Sequence, residues 1–152
     1  MKIRDLFINK PVISLEIFPP KPETPIDTIF DTIDALSDLK PDFISVTYGA
    51  AGGSKHYTVQ IADIIKNKYG IEALAHLTCI NSTKKEVEDI LQQLKKSNIE
   101  NVLALRGDRP QDESYIAPED NEYKYASDLI AHIKSLGDFC IGAACYPEVH
   151  IE

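Results

Sequence analysis

Apolar positions along the chain fall into two alternating patterns. Short continuous runs rich in Val, Ile, Phe and Ala occupy residues 12–18 (VISLEIF), 42–48 (DFISVTY), 72–80 (EALAHLTCI), 101–106 (NVLALR) and 139–146 (FCIGAACY). Runs this short and this apolar predict five parallel strands covered on both faces. Between them, apolar residues recur at helical spacing. The first such segment carries Ile26, Ile29, Phe30, Ile33, Leu36 and Leu39 after Thr24-Pro25, so Thr24 is expected to cap a helix with Pro25 in its first turn. A second helix is predicted from about residue 57 to 69, stopping at Gly70. A third opens with Thr83 and Glu86 as a capping box ahead of Val87, Ile90, Leu91 and Leu94, and a fourth covers about 125–136 before Gly137.

Strand and helix alternate with crossovers of about 30 residues, which admits an open doubly wound sheet or part of a (βα)8 barrel. An open sheet that binds a flavin phosphate places a compact glycine-rich loop at its switch point, often after the first strand. Here that strand runs into PPKPETP, which is rich in proline and has no glycine. Polar residues also gather where the strands run out. Glu16 interrupts the first, Thr47 and Tyr48 finish the second, and His76 and Thr78 close the third. Arg106 and Asp108 follow the fourth, and Tyr146, Glu148 and His150 follow the fifth. A barrel brings all its carboxyl strand ends to one mouth, so a spread over five strands favours the TIM-type barrel. Residues 1–152 read as part of one α/β domain.

Composition narrows the function classes. The 152 residues are 43% apolar, ordinary for a globular core, and the formal net charge of -8 disfavours a nucleic-acid partner. No segment reaches the roughly 18 apolar residues of a membrane span, and MKIRDLFINK lacks a secretory apolar stretch, so a cytoplasmic protein is expected. Cys79, Cys140 and Cys145 lie in or beside apolar runs, which suits reduced thiols.

Glu16 is the most suggestive single residue, because the apolar neighbours of ISLEIFPP resist an ionised carboxylate unless it is paired or functional. Desolvation raises a carboxyl pKa, as a general acid near neutral pH requires. In RGDRP the guanidinium offers bidentate hydrogen bonds, the glycine permits close backbone approach, and the carboxylate can orient a ring or a proton. An adhesion role for Arg-Gly-Asp would need an exported chain. GAAGGS (49–54) resembles a phosphate nest only loosely, and His76, Cys79, Cys145 and His150 match no common zinc spacing, so no metal site is expected.

In order, SLEIFPPK, SVTYGAAGGS, AHLTCI, NVLALRGDRP, YASDLI and AACYPEVH resemble the successive motifs of the 5,10-methylenetetrahydrofolate reductase family. The resemblance spans nearly the whole chain, and LRGD followed by YPEVH is its most specific part. It implies a (βα)8 barrel carrying FAD that uses NADH or NADPH to reduce 5,10-methylenetetrahydrofolate to 5-methyltetrahydrofolate in one-carbon and methionine metabolism. On that resemblance Glu16 is the general acid that opens the folate ring, and Asp108 sits between flavin and folate as a second catalytic residue. Thr47 matches a nicotinamide contact, while Tyr48, His76, Arg106, Gly107, Asp108, Tyr125, Ala126, Tyr146 and His150 match positions that hold FAD. A homo-oligomer is implied for the full-length form. A complete barrel takes about 250 residues, so this chain is expected to supply about the first five strands and four helices. The alternative is a non-catalytic fragment that needs the missing half or a partner chain.

Overall fold

Each apolar run of the sequence becomes a strand, and each helically spaced segment a helix. The computed structural model describes residues 1–8, 10–21, 23–48, 55–80, 82–108 and 123–148. The elements are β1 (Ser14–Ile17), α1 (Asp27–Ser37), β2 (Phe43–Val46), α2 (Lys55–Asn67), β3 (Glu72–Thr78), α3 (Lys84–Lys96), β4 (Asn101–Leu105), α4 (Ala126–Leu136) and β5 (Cys140–Ala143). Gly70, with φ of 68°, follows α2 in the left-handed region that a side chain disfavours. The capping box of α3 forms as the sequence implies: Thr83 Oγ1 accepts from the Glu86 amide at 3.2 Å, and Glu86 Oε2 accepts from the Thr83 amide at 2.8 Å. Such a cap is worth about 1 kcal/mol.

The start of α1 differs from expectation. Its cap is Ile26, which makes no side-chain cap bond, and Thr24 lies in the preceding turn. The chain instead tightens through three-residue bonds, Thr28 amide to Pro25 carbonyl at 3.2 Å and Ile29 amide to Ile26 carbonyl at 3.0 Å. Thr28 Oγ1 also donates to the Pro25 carbonyl at 2.8 Å. Leu39, read as the last apolar position of that helix, lies beyond its end and is exposed.

The five strands form one parallel sheet in the order β1-β2-β3-β4-β5. Each strand pairs with its predecessor in the chain, unlike the reversed order of a doubly wound sheet. The faces agree with this. Ile17, Ile44, Val46, Ala73, Ala75, Leu77, Val102 and Ala104 share one buried cluster with Ile29 and Ile33 of α1, Ile61 and Ile65 of α2, Leu91 and Leu94 of α3 and Leu129 and Ile133 of α4. All four helices therefore cover the same face. Sequential order with helices on one side is the wall of a (βα)8 barrel. Each fully buried Ile or Leu of this layer contributes about 1.5–3 kcal/mol of transfer free energy.

The opposite, inner face is covered differently along its length. At the strand starts, Phe43, Leu74 and Cys140 pack with Ile3, and Leu6, Val12 and Leu103 complete the cluster. Ile3 and Leu6 belong to a 3-10 helix, Ile3–Ile8, that plugs this end and that no periodicity in the sequence announced. Asn101 ties it down: its Oδ1 accepts from the Ile3 amide at 2.9 Å, and its Nδ2 donates to the carbonyls of Met1 at 3.1 Å and Ala73 at 3.3 Å. The prediction that all five strands are covered on both faces is corrected. β2 and β3 are buried almost throughout, but β1 and β5 each bury one residue and pair on one side only among the described residues.

Candidate active site at the carboxyl ends of the strands

Side chains alternate across a strand, so the inner face takes Glu16 from β1, Ser45 from β2 and His76 from β3. Register places Glu16 opposite Ser45, and Ser45 opposite Leu74, with His76 two residues further along. Ser45 Oγ donates to Glu16 Oε2 at 3.1 Å. His76 Nε2 lies 3.5 Å from the same oxygen, too far for a strong hydrogen bond. The three side chains meet at one carboxylate oxygen.

Their burial is unequal. The His76 side chain is 8% exposed, whereas that of Glu16 is 50% exposed. The expectation that apolar neighbours desolvate Glu16 is therefore corrected: those neighbours, Leu15 and Ile17, point to the helix side, and Glu16 points away from them. Burial instead acts on His76, pushing its pKa below the ordinary value, with the nearby Glu16 carboxylate partly opposing the shift. His76 is held neutral. Among the described residues its Nε2 is a buried polar atom without a hydrogen-bond partner, as is the hydroxyl of Tyr48, which packs on the helix side. Burial pushes Tyr48 up to about 12, and Ser82 stands beside it without a hydrogen bond of good geometry. Ser82 Oγ donates to the Thr78 carbonyl at 3.1 Å.

The Arg-Gly-Asp segment is built into the sheet end. At the end of β4 the Leu105 carbonyl accepts from the Cys79 amide at 3.2 Å, and beyond it the Arg106 carbonyl accepts from the Ile80 amide at 2.9 Å, so the ladder continues to Arg106. Gly107 then turns with φ of 83°, and a Cβ there would stand 3.0 Å from Thr78 Cβ and 3.2 Å from Ile80 Cγ2. Both the conformation and the space require glycine. Asp108 follows, exposed.

Thr47 follows β2, and its carbonyl accepts from Thr58 Oγ1 of α2 at 3.0 Å. Tyr125 caps α4 ahead of Ala126, with Asp128 Oδ2 accepting from the Lys124 and Tyr125 amides, each at 2.9 Å. The Tyr125 ring is exposed under Lys124 Nζ at 5.2 Å, and Tyr146 is exposed after β5. The structure thus joins Glu16 and His76 directly and packs Gly107 against the end of β3. Among the described residues, Tyr125 and Asp108 make no hydrogen bond or ion pair with that pair. His150, the loop 49–54 and residues 109–122 lie outside the described residues. Cys79 and Cys140 are buried, while Cys145, also read as an apolar-run thiol, is exposed because β5 ends two residues before it. Cys79 faces the helix-side core and His76 the inner face, so those two do not converge on a metal.

Ser45 was missed in the sequence. The usable signal was register: a serine inside an otherwise apolar strand, on the parity of Thr47, opposite the only carboxylate of β1.

A sequence model of the methylenetetrahydrofolate reductase family matches residues 2–152. The chain belongs to that family. The 5,10-methylenetetrahydrofolate reductases of Pectobacterium carotovorum subsp. carotovorum and Escherichia coli (strain K12) are each 44% identical to it over 140 residues, which is 92% of this chain and 45% of each relative. A probable methylenetetrahydrofolate reductase (NADH) of Oryza sativa subsp. japonica is 38% identical over 144 residues, 93% of this chain and 24% of the relative. The chain therefore spans less than half the length of these curated relatives. Among the described residues of this family member, no helix is long and apolar enough to cross a membrane.

Proposed function

We propose that the strand ends of this methylenetetrahydrofolate reductase family chain form part of a site that binds FAD and reduces 5,10-methylenetetrahydrofolate to 5-methyltetrahydrofolate with NADH or NADPH. The observation that carries this reading is His76 Nε2, a buried polar atom on the inner face beside Glu16 that has no hydrogen-bond partner among the described residues. A native fold leaves few such atoms unpaired unless a ligand meets them. The donors and acceptors present fit a flavin. Tyr48 and His76 would meet its polar atoms, Arg106 would pair with anionic groups, and Gly107 would hold the turn that carries the chain past Thr78. Tyr125, Ala126, Tyr146, Asp108 and His150 complete the proposed flavin contacts, and Thr47 would contact the nicotinamide. The rice relative is named for NADH, which supports NADH as the reductant.

Bound flavin supplies two-electron hydride chemistry that no side chain can. The chain's own task is proton placement and orientation. The substrate's methylene bridge joins two nitrogens, and its ring opens when one of them is protonated and leaves with the C–N electron pair. Glu16 is the group at the mouth that can hold and deliver that proton, and its half-exposed position lets a substrate reach it. Replacing Glu16 by Gln in the flavin-loaded protein should slow folate reduction about 100- to 10,000-fold. Bleaching of the flavin by NADH should change little. Equal loss in both half-reactions would refute the acid role.

A second reading has its own observation: β1 and β5 pair on one side only among the described residues, and the Glu16 side chain is half exposed. On that reading the chain is non-catalytic until further strands or a partner chain cover it.

A further inference from the structure

We propose that Ser45 is a positioning residue that fixes Oε2 of Glu16 and so assigns Oε1 as the oxygen that carries the proton. The inference rests on the reading of Glu16 as the acid and deepens it. A half-exposed glutamate on a strand samples several rotamers in water, and a general acid must present one oxygen in one direction. Here the constraint comes from the neighbouring strand. Ser45 is buried and in register with Glu16, and its hydroxyl donates to Oε2 at 3.1 Å. His76 Nε2 stands 3.5 Å from that same oxygen on the next strand and packs beside it without a hydrogen bond, so Ser45 alone bonds Oε2 among the described residues. Burial lowers the His76 pKa, which favours the neutral imidazole beside Oε2.

The proton step then has one geometry. The O–H bond at Oε1 breaks, an N–H bond forms on the substrate's bridging nitrogen, and the C–N bond to the methylene breaks with its electron pair going to that nitrogen. Oε2 keeps its bond from Ser45 throughout.

The test uses Ser45→Ala together with the isosteric pair Ser45→Thr and Ser45→Val, which differ in the hydroxyl alone. In the 152-residue chain carrying carboxyl-13C glutamate, Glu16→Gln identifies the Glu16 resonance. Ala and Val should move that resonance, and Thr should restore it. In the flavin-loaded protein, Ala and Val should lower the rate of folate reduction about tenfold, as expected for losing one hydrogen bond to a charged group. Flavin reduction by NADH and the folate KM should stay unchanged, and Thr should recover the rate. A Glu16 resonance that ignores Ala and Val alike would overturn the positioning role. So would equal rates for Thr and Val. If Glu16→Gln itself leaves folate reduction intact, the acid reading has failed instead, and the resonance still decides whether Ser45 holds the carboxylate.

Discussion

The two ends of the inner sheet face hold buried polar groups in opposite conditions. At the strand starts, Asn101 is fully buried and satisfied, with three hydrogen bonds that fasten the amino-terminal 3-10 helix over an apolar cluster. At the strand ends, His76 is buried on this face with Nε2 left without a hydrogen bond among the described residues, beside a half-exposed Glu16. One end spends its polar groups on the fold; the other holds them in reserve. That division is the one a barrel makes between its stabilising bottom and its reactive top.

The comparison breaks first at Asn101. Replacing it by Leu keeps the volume but leaves the Ile3 amide buried without an acceptor, which should cost about 2–4 kcal/mol in urea unfolding. FAD affinity of the folded fraction should not change. A variant that loses FAD affinity without losing stability would dissolve the distinction between the ends.

Gly107→Ala probes the other end. It forces a Cβ to within 3.0 Å of Thr78 in a left-handed conformation, at a cost of about 1–3 kcal/mol. Here FAD affinity should fall along with thermal stability, because the Arg106–Asp108 segment must shift. Unchanged affinity would remove this segment from the proposed site.

The smallest effect is the pH dependence of His76. Its folded pKa lies below the ordinary 6.5, so the unfolded chain takes up the proton first as pH falls. Its contribution to stability is therefore fully present above pH 6.5 and is lost as pH drops through the lower folded value. His76→Asn should flatten that part of the urea-midpoint profile below 6.5. A profile that the substitution leaves unchanged would show that His76 is not held neutral.

Much of this was legible in the residues. The runs at 72–80 and 101–106 gave β3 and β4 because a buried parallel strand needs continuous apolar character, and Thr83 with Glu86 gave the α3 cap because the capping box is a local motif. The open faces of β1 and β5 were not legible, since an apolar run records what a strand can bury and not which neighbour covers it. Glu16 was found, but its burial was misjudged because its apolar sequence neighbours lie on the opposite face. Ser45 stayed hidden because its role depends on the pairing of β1 with β2, a contact across 29 positions. Thr24 failed as a cap because the turn at Pro25 moves the helix start past it.

The central claim, that the strand ends and not the strand starts meet the cofactor, is tested most directly by titrating the 15N-labelled chain with FAD and following amide and side-chain resonances. The account predicts shifts at Thr47, Tyr48, His76, Arg106 and Gly107, with the Asn101 side-chain amide unmoved. Shifts centred on Asn101 and the 3-10 helix, or no shifts at saturating FAD, would contradict it.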